Sequence, residues 1–252
     1  MIVMISHAKT MRRDPYGLEA PPTVPRFLRE SRELLSRIQK LSFPELKAVL
    51  GCSESLAREA YDNFQRMNLD RGDSTPAILA YSGIQYQYMA PGVFTDREFR
   101  WLGEHLRILS GFYGVLRPTD GVLPCRLEMQ ARCSEGAEGS LYAFWGDRLA
   151  RSLEREAGGV ILNLASEEYA RAVRPHLSPD TRFVTPVFGE LQPDGKVREK
   201  GVHVKMARGR AVRYLAEQGA EEPEAICGFS DLGFCFCPER SAPDTPVFIR
   251  KP

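Results

Sequence analysis

The sequence predicts an α/β protein, a single compact domain over residues 1–252 with a mixed β-sheet and flanking helices. Three observations carry this. Short apolar runs alternate with amphipathic stretches of helical spacing, the pattern of strands feeding helices. The 252 residues, 43% hydrophobic and 27% charged, are ordinary for a globular chain long enough to bury a core. No Pro/Ser/Gly linker, low-complexity tract or repeat of fixed period divides it.

The elements follow in order. Residues 1–6 (MIVMIS) read as a buried strand, and 7–24 as a loop. Pro25 can open a helix over 26–40, where Phe27, Leu34, Leu35 and Ile38 recur at helical spacing. Ser42 with Glu45 forms a capping box for a helix ending near Gly51. Ser53 caps a second helix to about Met67, with Leu56, Ala60 and Phe64 on one face, giving helix, short hairpin, helix. The stretch 77–89 starts as a strand. Thr95 caps a helix over 96–107. The run 106–118 is apolar, broken by small residues and stopped by Arg117-Pro118. Residues 140–157 read as a helix, 160–165 as a buried strand, and 167–173 as a helix that stops before Pro175. Phe183–Glu190 pairs with Lys196–Val204 across Pro193-Asp194-Gly195. A basic helix covers 206–218, and the tail holds two short strands around Phe234 and Val247–Arg250.

Several function classes are disfavoured. The apolar N-terminus is only six residues long, with Lys9, Arg12 and Arg13 behind it, the reverse of a secretory signal. No run approaches the ~20 apolar residues of a membrane helix. A cytoplasmic location with no membrane partner is the expectation. Cysteines at 52, 125, 133, 227, 235 and 237 show no CxxC spacing and read as reduced structural thiols. His7, His105, His176 and His203 make no metal-ligand pattern. No HExxH, Walker or GxGxxG motif is present, so neither a metal nor a cofactor is expected.

Charge distribution is more informative than the net charge of +1. Lys196, Arg198, Lys200, Lys205, Arg208, Arg210 and Arg213 crowd one stretch, with Glu199 and His203 among them. Such a face either is simply solvated or meets phosphate. Polar clusters also end several apolar runs: Ser6-His7-Ala8-Lys9-Thr10, Ser82-Gly83, Arg117-Pro118 and Ser166-Glu167-Glu168-Tyr169. Ligands of open α/β sheets bind beyond the carboxyl ends of strands, so these clusters are expected to converge on one pocket. Lys9 is either a ligand for phosphate or carboxylate, or a nucleophile or base. Arg126 and Glu128 read either as a salt bridge or as an anion clamp with an acid beside it. Asn163 interrupts an apolar strand and must find hydrogen bonds or bind something. Ser166 reads as an N-cap or an anion contact beside Glu168. Phe144 and Trp145 read as core, and Asp147 as a cap or an arginine partner.

These motifs in this order resemble the YaaA family of bacterial peroxide stress proteins. The matching stretches are Ser6-x-Ala8-Lys9-Thr10, LSGFYGVLRPTD (109–120), PCRLEM (124–129), LYAFWGD (141–147), VILNLASEEY (160–169) and Lys205-Met206-Ala207-Arg208-Gly209. They span residues 1 to about 237. The chain departs from the family pattern at Cys125, usually Tyr, at Gln130, usually Gly, and in its hairpin, which has Gly51 where two glycines are usual. The resemblance implies a cytoplasmic protein that limits peroxide damage by lowering free iron. It also implies an α/β fold with a positive cleft, a helix-hairpin-helix element at about 42–67 flanked by Lys47 and Arg58, and double-stranded DNA as a partner. The leading expectation is DNA binding through Lys9, Thr10, Arg117, Arg126, Asn163, Ser166, Lys205, Arg208 and Arg210. The alternative is an enzyme on a small anionic or nucleotide-like ligand in the same cleft, with Lys9, Glu128 or Glu168 doing proton or nucleophile chemistry. Direct iron binding ranks last, since no local spacing shows a ligand cluster.

Overall fold

In a computed structural model, the structure describes residues 1–12, 21–70, 73–131 and 139–251. Arg13 and Cys133 lie outside them. The main sheet has the order β6 (Gly114–Leu116), β5 (Leu106–Ser110), β1 (Ile2–Ser6), β8 (Val160–Asn163) and β9 (Arg182–Val184). β1 is parallel to β5 and β8, and β8 to β9; β6 alone returns antiparallel beside β5. All five residues of β1 are buried, as expected of a central strand covered on both faces. The chain leaves β1 for β5 on one side, then crosses back to β8 on the other. The point of reversal therefore lies between β1 and β8, where an α/β sheet opens a crevice at its carboxyl edge.

A second mixed sheet has the order β11 (Val197–Arg198), β10 (Val187–Leu191), β14 (Val247–Arg250), β13 (Phe234–Phe236) and β12 (Ser230–Asp231). Its core is aromatic: Phe188 stacks on Phe248 at 4.9 Å and meets Phe229 and Phe234 edge-on. Two small ladders pair β2 (Thr10–Met11) with β4 (Tyr81–Ser82) and β3 (Thr75–Pro76) with β7 (Gly121–Val122). One hydrophobic cluster contains residues of both large sheets.

The helices are α1 (Leu28–Ile38), α2 (Phe43–Leu50), α3 (Glu54–Arg66), α4 (Ala77–Ala80), α5 (Ile84–Met89), α6 (Asp96–His105), α7 (Leu141–Trp145), α8 (Arg148–Ala157), α9 (Glu167–Ala170) and α10 (Gly201–Gln218). The Ser42–Glu45 and Thr95–Glu98 capping boxes start α2 and α6. Gly51, at φ +56°, ends α2 in the left-handed conformation that glycine adopts without strain. α3 begins three residues later, at Glu54.

Four expectations need correction. The stretch 77–89 is mainly helical, as α4 and α5, with only Tyr81–Ser82 extended. Ala77–Ala80 is buried throughout, and a short apolar run buried on all sides has no period to separate strand from helix. The helix over 140–157 is two helices, broken at Gly146 (φ +50°). The strand expected over 196–204 stops at Arg198, and α10 begins at Gly201. Val204, Ala207, Ala211, Val212 and Leu215 are buried at helical spacing, so packing overrides the β-branched local preference. The helix from Glu167 ends at Ala170, with a 3-10 turn over Arg174–His176. Cys52, Cys125, Cys227, Cys235 and Cys237 carry free thiols.

Candidate functional site

The carboxyl ends of β1 and β8 meet. The Ser166 amide donates to Ser6 Oγ at 2.8 Å, and Ser6 Oγ lies 3.3 Å from Ser166 Oγ. Beyond this junction opens a cavity of ≈ 440 Å³ lined by the β1 exit (Ser6 to Thr10), by Ser82 to Tyr86, by Glu128, by Ser166, Glu168 and Tyr169, and by Lys205 and Arg208 of α10. Five separate chain segments thus converge on one crevice, as strand-end clusters should at a reversal point.

Two close backbone approaches and two side-chain hydrogen bonds hold these segments in place. A Cβ on Gly111 would sit 2.4 Å from the Leu127 carbonyl oxygen, so the loop carrying Arg126 and Glu128 lies directly against the β5–β6 turn. A Cβ on Gly209 would sit 2.2 Å from the Gln85 carbonyl oxygen, so α10 and α5 touch backbone to backbone. Tyr86 donates its hydroxyl to the Ser6 carbonyl (3.1 Å), and Gln85 donates to that of Leu164 (3.3 Å).

The charges sort themselves. Lys9 Nζ lies 2.7 Å from Glu128 Oε2, and Arg126 Nη2 lies 3.2 Å from Glu128 Oε1. Both oxygens of this buried carboxylate are therefore held by cations, while the Lys9 side chain stays 58% exposed. Glu168 accepts the Gln130 amide at 3.2 Å. Burial pushes its carboxyl above the ordinary range, against the pull of that amide. Lys205 is exposed, and Arg208 is half-buried. Neither has an ion pair among the described residues. Burial draws the Arg208 guanidinium down from its usual pKa, with Glu199 opposing. His7 is buried, and desolvation lowers its pKa to about 4, so the ring is neutral near pH 7. Its ring meets those of Tyr81 and Tyr169 edge-on, at centroid distances of 5.4 and 5.3 Å.

Two smaller depressions share Lys9 and Arg126 with this area. One, of ≈ 230 Å³, adds Val49 and Leu50 at the end of α2 and Gly51 of the turn that follows, with Gln130 and Ala131. The other adds Leu56, Glu59, Ala60 and Asn63 of α3, with Cys125. The helix pair thus forms the rim beside Lys9.

Of the residues expected in the cleft, the structure gathers Lys9, Thr10, Glu128, Ser166, Glu168, Lys205 and Arg208 in the main cavity, with Arg126 beside it. Three expected residues lie elsewhere. Arg117 follows the one antiparallel strand, so it emerges at the opposite edge of the sheet, in a depression with Arg26, Arg107, Asp120 and Glu156. Arg107 Nε donates to Glu156 there at 2.6 Å. Arg210 pairs with Asp231 at 2.5 Å, away from the cavity. Asn163 is buried, accepting the Ala165 amide (3.0 Å) and donating to Thr185 Oγ1 (3.3 Å). Its role is to fold the exit of β8. Asn163→Leu is expected to cost about 1–3 kcal/mol by stranding the Ala165 N–H while leaving cleft binding intact, measured by urea unfolding beside a ligand titration.

Sequence reasoning placed His7 and Tyr169 in the converging clusters without giving either a role, and it missed Gln85 as a cavity residue. A histidine at the exit of a buried strand, one residue past its apolar run, was the available signal for a role of His7. The strand reading of 77–89 hid Gln85.

The fold and the cleft define an α/β protein with a mixed-charge, cation-rich crevice at a strand-reversal point. Residues 1–240 match the family model described as peroxide stress protein YaaA. The UPF0246 protein DSY0297 of Desulfitobacterium hafniense (strain Y51) is 45% identical over 250 residues, covering 99% of this chain and 98% of that protein. A UPF0246 protein of Lactiplantibacillus plantarum is 45% identical over 249 residues, covering 99% of each. The chain belongs to the YaaA peroxide stress family.

Proposed function

We propose that this peroxide stress protein binds duplex DNA through the cleft and its rim, and in that way helps limit oxidative damage and free iron in the cytoplasm. The observation that supports this most is the grouping of Lys9, Arg126, Lys205 and Arg208 around one crevice whose rim is the Gly51 turn. Lysine and arginine so placed meet phosphates, and a turn between two helices offers backbone N–H groups to the same oxygens. Contacts of this kind read shape and charge with little preference for base sequence. Among the described residues no group of three or more His, Cys, Asp or Glu side chains is arranged to hold a metal ion. The role in limiting iron is proposed without one. No described helix is long and apolar enough to cross a membrane.

The test is fluorescence anisotropy of a labelled duplex at several salt concentrations, beside a Lys205→Glu/Arg208→Glu variant. Binding is expected to weaken steeply with salt. The slope of log K against log salt should shrink by about 0.9 for each phosphate contact removed. No binding at low salt would sink the proposal.

A second reading has its own support. Glu128 gripped by two cations, with half-buried Glu168 nearby, is the kind of mixed-charge cluster found in enzyme sites. In that reading the cleft acts on a small anionic substrate, with Lys9, Glu128 or Glu168 handling protons. Lys9→Ala or Glu128→Gln would then abolish turnover while the fold persists.

A further inference from the structure

The floor of the cavity holds polar groups that DNA backbone contacts would leave idle. The buried side-chain polar atoms without a hydrogen-bond partner among the described residues are His7 Nδ1, Tyr81 OH, Tyr169 OH, Arg126 Nε and Arg208 Nε. His7, Tyr169 and Arg208 line the cavity, Tyr81 packs against His7, and Arg126 borders it. Folded proteins pair nearly all their buried polar atoms. His7 Nδ1 and Arg208 Nε, both on residues lining this one cavity, are the donors and acceptors that a ligand there would complete.

The lining restricts what that ligand is. α10 contributes Lys205 and Arg208, two cations without ion pairs among the described residues, which call for an acidic group. α9 contributes Glu168, a carboxyl with no ion pair among the described residues, which calls for N–H donors. Between them stand the neutral His7 ring, the Tyr169 hydroxyl and the apolar surfaces of Ala8 and Ile84, which suit a planar body with polar edges. The cavity of ≈ 440 Å³ falls within the roughly 300–1,000 Å³ that encloses one small ligand. A specific duplex contact spreads over about 1,000–2,500 Å² of protein surface, so a double helix meeting the cleft would lie across its mouth and rim and leave the interior to a smaller group.

We propose that the cavity takes a single nucleotide unit, its phosphate on Lys205 and Arg208 and an amino-bearing base against Glu168 and the His7–Tyr169 floor. This rests on reading the cleft as a phosphate site and narrows it to one residue of nucleic acid. Two sources offer the same chemistry: a free mononucleotide, or an unpaired nucleotide turned out of a DNA strand.

Isothermal titration of the full chain tests it, with adenosine 5′-monophosphate, thymidine 5′-monophosphate, ribose 5-phosphate and inorganic phosphate as probes. A duplex with one unpaired adenosine is compared with a fully paired one. The adenine probe is expected to bind at least tenfold more tightly than ribose 5-phosphate and the thymine probe. Arg208→Ala and the solvent-facing Lys205→Ala should each weaken it tenfold or more. Glu168→Leu should bring it down to ribose 5-phosphate. Thermal unfolding of each variant separates lost contacts from a lost fold. If DNA is the source, the preference appears as tighter binding of the duplex with the unpaired adenosine. If the source is the free pool, the mononucleotide shows it and the two duplexes bind alike. The proposal is overturned if neither probe shows a tenfold preference that Glu168→Leu removes. Paired-duplex binding that persists without any base preference sinks this inference alone. Loss of duplex binding in the rim variant Lys47→Glu with mononucleotide affinity unchanged supports it and places duplex contact outside the cavity. Mononucleotide binding with no duplex binding in any form sinks the duplex reading alone.

Discussion

Gly209→Ala is expected to lower the melting temperature by several degrees and to weaken anion binding in the cleft at least tenfold. By helix propensity alone the change should help, since alanine in a helix interior is favoured over glycine by about 1 kcal/mol. Packing decides otherwise. The new Cβ would lie 2.2 Å from the Gln85 carbonyl oxygen and 3.0 Å from the Met89 amide nitrogen. Both are backbone atoms, so no side-chain rotation relieves the overlap, and α10 must move off α5. Overpacking of this kind costs about 3 kcal/mol, leaving a net loss near 2 kcal/mol, or about 4–8 °C for a chain of this size. The displacement carries Lys205 and Arg208 with it, which ties the packing defect to function. Gly103→Ala is the control. Gly103 lies inside α6 with nothing within 4 Å of its Cβ position, so there the propensity term acts alone and stability should rise slightly with binding unchanged. Differential scanning calorimetry and a ligand titration on both variants decide the point. Equal behaviour of the two would mean that the α5–α10 contact does not set the position of the basic pair.

Where the sequence was legible, a local rule had no competitor. The Ser42–Glu45 box fixes the start of α2, and five consecutive apolar residues fix β1. The convergence of Lys9, Ser166 and Glu168 was also readable, because polar clusters ending parallel strands have one edge to go to. Arg117 broke the same rule. Its cluster also ends an apolar run, but that run folds back at Gly111–Tyr113, and the reversed strand delivers it to the far edge. Nothing in the residues themselves states the direction of a strand. The basic helix posed a similar problem. Arg208 and Arg210 are two positions apart, about 200° around a helix of 3.6 residues per turn. One therefore faces the cavity while the other pairs with Asp231. Only the packing of α10 against α5, closest at Gly209, determines which. Asn163 was rightly expected to need hydrogen bonds, and it finds them in the Ala165 amide of its own turn and the Thr185 hydroxyl.

Acid should destabilise the chain through His7 before its carboxylates matter. Burial, the largest cause, holds the ring's pKa at about 4, with Lys9 and Arg126 adding to that and Glu128 opposing. In the unfolded chain the same ring titrates near 6.5. Between those values the unfolded chain binds a proton that the folded chain refuses. The contribution of His7 to stability is thus complete above about pH 6.5 and is lost as pH falls toward 4, to a total of about 3 kcal/mol. Glu168 acts in the other direction. Its carboxyl is raised in the fold, so it takes up a proton before its unfolded counterpart and adds stability as pH falls through its raised pKa. Carboxyls held low, such as Glu156 beside Arg107, lose stability only below the unfolded value of about 4.5. The upper part of the window therefore belongs to His7. Urea unfolding at pH 7.5, 6.5, 5.5 and 4.5 should show the native chain losing about 2–3 kcal/mol relative to His7→Phe, which keeps a ring between Tyr81 and Tyr169. Parallel curves would mean that the ring takes its proton without cost. Saturating phosphate should flatten the native profile, because an anion beside Arg208 favours the imidazolium, and that change would link the buried histidine to whatever occupies the cavity.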